Sequence, residues 1–117
     1  MTISEERRGR IGILSLKGSF GGKPGASLFE QALFGLLKDD ILYIILDLGE
    51  LTFIDSAGLG AMISAMVSVG RKEGALKLAA VRGDVRRVVK SMHLDQVFEL
   101  YETVEQADAS FGNMRKS

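Results

Sequence analysis

The chain contains no cysteine and no tryptophan, a single proline and a single histidine. Without cysteine there can be no disulfide, no thiolate nucleophile and no Cys-ligated zinc. A lone histidine, His93, argues against His-based metal sites and Ser-His-Asp catalysis. Absence of cysteine also fits a reducing compartment. Net charge is lacking too: fifteen basic residues balance fifteen acidic ones. That balance gives no electrostatic reason to expect nucleic acid or an anionic membrane as partner. No apolar run approaches the roughly 20 residues that span a bilayer. The opening Met1-Thr2-Ile3-Ser4-Glu5-Glu6 has no apolar signal-peptide core. The expectation is a cytoplasmic protein with no metal and no cofactor.

Apolar residues make up 46% of the 117, enough for a proper core. We expect one domain over 1–117, with 112–117 as a frayed tail. Branched apolar residues predict strands over 2–6 and 10–17, joined by a turn at Arg8-Gly9. The segment from Gly18 to Gly25 is the richest turn signal in the chain. Leu28, Phe29, Ala32, Leu33, Leu36 and Leu37 recur at helical spacing and predict a helix from Pro24 to Lys38. The unbroken apolar run over 42–48 predicts a strand covered on both faces, as in a parallel sheet.

A second helix is expected over 57–72, with Gly74 as its C-terminal cap. A strand over 76–81 and a helix over 84–92 follow, the latter from Val85, Val88, Val89 and Met92. A last strand over 97–101 and a helix capped by Thr103 complete the chain. The order ββ-α-β-α-β-α-β-α implies an α/β fold with a mostly parallel sheet of four to five strands. Its N-terminal strand runs antiparallel, and about four helices flank it.

In such sheets function gathers beyond the carboxyl ends of strands. There the sequence places Asp55-Ser56-Ala57-Gly58-Leu59-Gly60, a turn opening a long helix. Asp55 or Ser56 has the chemistry of an ordinary helix cap. A phosphoryl group on Ser56 would equally be tolerated at the positive end of that helix. Gly18 to Lys23 misses the P-loop pattern, having three residues between its glycines and Pro24 after the lysine. Arg82, Arg86 and Lys90 share a helical face that is either solvated or a patch for an acidic partner or for self-association.

The stretch Ile44-Ile45-Leu46-Asp47-Leu48, then Leu51-Thr52-Phe53-Ile54 and the Asp55–Gly60 turn, resembles the central signature of the STAS family. The likeness continues through Gly74–Leu78 and Leu94–Phe98 and covers about 11–111. It implies a bacterial anti-sigma factor antagonist, a non-enzymatic regulator of transcription by partner switching. Ser56 would be phosphorylated by an anti-sigma factor that is a serine kinase. A metal-dependent Ser/Thr phosphatase would reverse the modification. The unphosphorylated form would bind the anti-sigma factor through Asp55, Ser56, Ala57, Gly58, Leu59 and Gly60, helped by Gly21 and Gly22. Asp55 would position the hydroxyl or touch the partner, and Asp47 would support the turn. A weak homodimer is compatible with this reading. The family's acidic stretch after the second strand is replaced here by Gly18-Ser19-Phe20-Gly21-Gly22, which holds no acid. The alternative within the resemblance is an interaction subunit of a stress-sensing or transporter-associated assembly without phosphate turnover.

Overall fold

The structure, a computed structural model, describes residues 1–112. Nine regular elements and one 3-10 turn follow in the expected alternation. They are β1 (Thr2–Arg8), β2 (Ile11–Phe20), α1 (Gly22–Leu37), β3 (Tyr43–Ile54), α2 (Ser56–Arg71) and β4 (Ala75–Ala79), followed by α3 (Gly83–Ser91), the 3-10 turn Leu94–Gln96, β5 (Glu99–Tyr101) and α4 (Val104–Ser110). The five strands form one sheet in sequence order, β1-β2-β3-β4-β5. β1 runs antiparallel to β2, and every other pair is parallel.

Side-chain alternation splits the sheet into two faces. Leu14, Leu16, Ile44, Leu46, Leu76 and Leu78 point to one side, where Phe29 and Leu36 of α1, Met62 and Val69 of α2, and Val85 and Val89 of α3 close the main core. Ile11, Ile13, Ile45 and Ala79 point to the other, where Ala107 of α4 and the adjoining Phe111 pack on them, with Tyr43, Tyr101 and Val104 at the margin. The apolar run in β3 is explained by this arrangement: Ile44, Ile45 and Leu46 are all fully buried, whichever face they take.

Five elements differ from the sequence expectation. Gly18-Ser19-Phe20 is strand, not loop, because it pairs with Leu51, Phe53 and Ile54 of an unexpectedly long β3. β3 continues past Leu48 by absorbing extra residues at two bulges opposite Ser15–Lys17 and Gly18–Ser19. Only Gly21 then separates β2 from α1. The strand expected over 97–101 is shortened to Glu99–Tyr101 by the 3-10 turn before it, and β4 stops at Ala79. At the end of α2 the left-handed residue is Glu73, with φ 63°, rather than Gly74. Gly74 is needed for a different reason, since a Cβ there would stand 2.1 Å from the carbonyl oxygen of Leu42. The frayed tail expected over 112–117 lies, beyond Gly112, outside the described residues.

α4 is fastened to the sheet by a buried cation. Lys77 on β4 is 7% exposed, and its Nζ donates to Ser110 Oγ at 2.7 Å. The same ammonium lies 4.2 Å from the Phe111 ring centroid, 5.4 Å from that of Tyr101 and 3.6 Å from Glu99 Oε1. Arg8 on β1 reaches Asp108 of α4 at 3.7 Å.

Candidate functional site

Two strand-to-helix junctions lie side by side, because β2 and β3 are neighbours and end together at Phe20 and Ile54. After each strand the chain turns at once into a helix, α1 at Gly22 and α2 at Ser56. Each helix start exposes unpaired backbone N–H groups. Asp55 serves both starts. Its Oδ1 accepts from the Gly58 N–H at 3.0 Å, which caps α2. Its Oδ2 accepts from the Gly22 N–H at 3.0 Å, at the first residue of α1. Its own N–H donates to the Phe20 carbonyl at 3.2 Å, and its carbonyl accepts the first helical bond of α2 from Leu59 at 2.9 Å. One residue thus joins two segments 33 positions apart.

These bonds favour the ionised carboxylate. The Gly58 amide first, then the Gly22 amide, hold the Asp55 carboxyl below its ordinary value. The close fit needs glycine on both sides. A Cβ on Gly21 would lie 2.7 Å from Asp55 Oδ2, and one on Gly58 would lie 2.6 Å from the Phe20 carbonyl oxygen.

Because Asp55 does the capping, Ser56 is left outside the cap. Ser56 is exposed as the first residue of α2. The expected site residues around the turn do come together: the Gly22 N–H is bonded to Asp55, and Gly21 lies against the same carboxylate. Gly58 and Leu59 are buried beneath the turn, whereas Ser56 and Gly60 face outward. Both carboxylate oxygens of Asp55 are engaged by backbone amides, so its hydrogen bonds serve the two helix starts and not the Ser56 hydroxyl.

Asp47 is not brought to the turn. It lies on the α4-side face of β3, eight residues earlier, where it accepts from the Gly49 N–H at 3.0 Å and meets the Ser15 hydroxyl at 3.4 Å. Its bonds hold the β3 bulge. The basic group is likewise mostly engaged. Arg82 donates twice to the Gly49 carbonyl, at 2.9 and 2.7 Å, and Arg86 donates to the Val81 carbonyl at 3.3 Å.

Sequence reasoning passed over Phe53. It is 52% exposed, on the same side of the sheet as α4 but outside the cluster that α4 covers, directly before Ile54-Asp55. The signal was available: Ile54 faces the core, so its neighbour must face away. No group of three or more His, Cys, Asp or Glu side chains that could hold a metal occurs among the described residues. No helix there is long and apolar enough to cross a membrane.

A mostly parallel sheet in sequential order, with an exposed serine on a carboxylate-capped helix start, defines a small α/β domain. Comparison with known proteins places it. The STAS domain family model matches residues 2–107, and the chain belongs to that family. It is 28% identical over 109 residues to the anti-sigma-F factor antagonist RsfB of Mycobacterium tuberculosis, covering 92% of this chain and 86% of that one. The crystal structure of an anti-sigma factor antagonist from Mycobacterium paratuberculosis superposes with a TM-score of 0.82 at 26% identity, over 93% and 92% of the two chains. The Bacillus cell fate determinant SpoIIAA in its phosphorylated form shares the fold alone, with a TM-score of 0.74 at 18% identity over 94% and 99%.

Proposed function

We propose that this protein is an anti-sigma factor antagonist of the cytoplasm, without catalytic activity of its own, whose binding is switched by phosphorylation of Ser56. The observation that carries the reading is the division of labour at the turn. Asp55 holds both helix starts, so Ser56 is exposed and can be modified without removing the cap. The named relatives are anti-sigma factor antagonists, which supports an anti-sigma factor as partner.

In the hydroxyl form the exposed edge of residues 55–60, with the neighbouring Gly21-Gly22, offers a surface of small side chains that a partner can approach closely. The partner is an anti-sigma factor with serine kinase activity, and docking onto this surface releases its sigma factor. Transfer of a phosphoryl group to Ser56 adds about −1.5 to −2 charges. That charge lands next to the Asp55 carboxylate, which its amide bonds keep ionised. Like-charge repulsion and the desolvation of a phosphate then oppose docking. A shift of about 3 kcal/mol, roughly a hundredfold in affinity, is the size of a working coupling. A metal-dependent Ser/Thr phosphatase resets the switch.

The test uses the anti-sigma factor recovered from the host with this chain. By calorimetry Ser56→Ala binds as the unmodified protein does, and Ser56→Asp binds at least about tenfold more weakly. With the kinase and ATP, mass spectrometry finds phosphate on Ser56 alone. Equal affinity of the two variants, or phosphate elsewhere, refutes the switch.

A further inference from the structure

The two strand-to-helix junctions repeat each other in step. Phe20 pairs with Ile54 at the strand ends, and each helix opens just beyond, α1 at Gly22 and α2 at Ser56. Both helices follow parallel strands, so they run in the same direction. The step is kept along them: the groove between the helices is lined by Glu30 and Phe34 of α1 and, at the same offset, by Ser64 and Ser68 of α2. Lys23 lies two helical turns before Glu30 and so on the same face of α1, the one that looks toward α2. Carried back to the first turn, the register sets Lys23 beside Ala57, next to Ser56.

Lys23 is exposed and makes no ion pair among the described residues. It is also the only cation within residues 18–25 and 55–60. Its place is electrostatically awkward. α1 begins with no acidic residue in its first turn and no side-chain cap from Gly21. A helix start is the positive end of the dipole, where a lysine is repelled and an anion is favoured. The one anion at hand, Asp55, has both carboxylate oxygens committed to the Gly58 and Gly22 amides.

We propose that Lys23 is the residue that receives the Ser56 phosphoryl group: its ammonium crosses the α1–α2 gap and pairs with the phosphate, folding it back onto the chain that carries it. Axes of packed helices stand about 8–10 Å apart. A flexible four-carbon lysine stem and a phosphoserine arm meet across that distance. The pairing rests on the reading of Ser56 as the modified residue and supplies a further part of its regulation. Phosphorylation then changes the docking surface twice over. It places charge beside Asp55, and it takes up the cation that the hydroxyl form leaves free for a partner.

The test needs no kinase. Phosphoserine is installed at Ser56 by codon suppression, and the phosphate is titrated by phosphorus NMR. A free phosphoserine gains its second charge at about pH 6. A cation within about 4–6 Å favours the dianion and lowers that value. Lys23→Gln raises it by at least about 0.5 pH unit, because the cation is gone while Asp55 and both helix starts remain. Lys23→Arg keeps it within about 0.2 pH unit of the parent chain. Lys72→Gln, at the far end of α2, leaves it in place. Both lysines are exposed, and circular dichroism shows every variant folded. A phosphate that titrates alike in the parent chain and in Lys23→Gln overturns the proposal while leaving Ser56 as the modified residue. An equal rise in Lys72→Gln also overturns it, since net charge alone would then explain the effect. Phosphate found by mass spectrometry away from Ser56 in the kinase reaction is a separate result, and it removes the switch together with this part of it.

Discussion

At the scale of single residues, Asp55 carries more of this structure than its neighbour Ser56. Its folded-state carboxyl is held below the ordinary value by the Gly58 and Gly22 amides. A depressed carboxyl contributes stability that is present above its unfolded value and lost as pH falls through its folded one. The thermal midpoint of the unmodified chain should therefore exceed that of Asp55→Asn at pH 7. The gap should close as pH drops through and below the ordinary carboxylate range. A gap unchanged in acid would show that the charge is not what the amides hold. Half of this was legible in the sequence. An aspartate before an apolar helix announces a cap. Its second bond, to an amide 33 residues away, was not legible, because no local pattern records which two strand ends lie side by side.

At the scale of elements, the periodicities served well and the glycines misled. Helical spacing in α1 and the apolar run in β3 correspond to the observed buried faces. Gly18 and its neighbours read as a loop because glycine is poor strand material, yet pairing with the end of β3 overrides local preference. The missed reach of β3 has the same cause: Gly49-Glu50 looks like a break and is a bulge held by Asp47 and Arg82. α4 supplies a test of its own. The Lys77 ammonium lies over the faces of the Phe111 and Tyr101 rings and makes one short hydrogen bond. A buried charge replaced by an apolar group of similar volume is often neutral. Lys77→Met should thus stay within about 1 kcal/mol of the unmodified chain in urea unfolding. Lys77→Ala should cost about 2 kcal/mol, because it leaves a cavity under Phe111. The reverse ranking would mean that the charge, not the packing, fastens α4.

At the scale of the whole molecule, protection should be graded across the sheet. β3 is paired on both edges and covered on both faces over Ile44–Leu46. Those amides should exchange with solvent most slowly of all. The amides of β1, at an open edge with mostly exposed side chains, should exchange at least about tenfold faster. Uniform rates would contradict a core centred on β3. The alternation of strands and helices in the sequence was enough to give the class of fold, because right-handed crossovers leave few choices. It could not give the uneven covering of the two faces, which depends on one short final helix.

The strands lie in the sheet in the order in which they occur in the chain. Many α/β sheets need a later strand to wedge itself between two earlier ones, or to start a second wing on the far side. Here no such step arises. Each strand has only to find the free edge left by the one before it, and α2 settles next to α1. A chain emerging from the ribosome can add one layer at a time and never reopen what it has built. The fold grows like a course of bricks laid in one direction, and the tip that bears Ser56 is completed once β3 and the first turn of α2 are in place, before β4 and β5 exist.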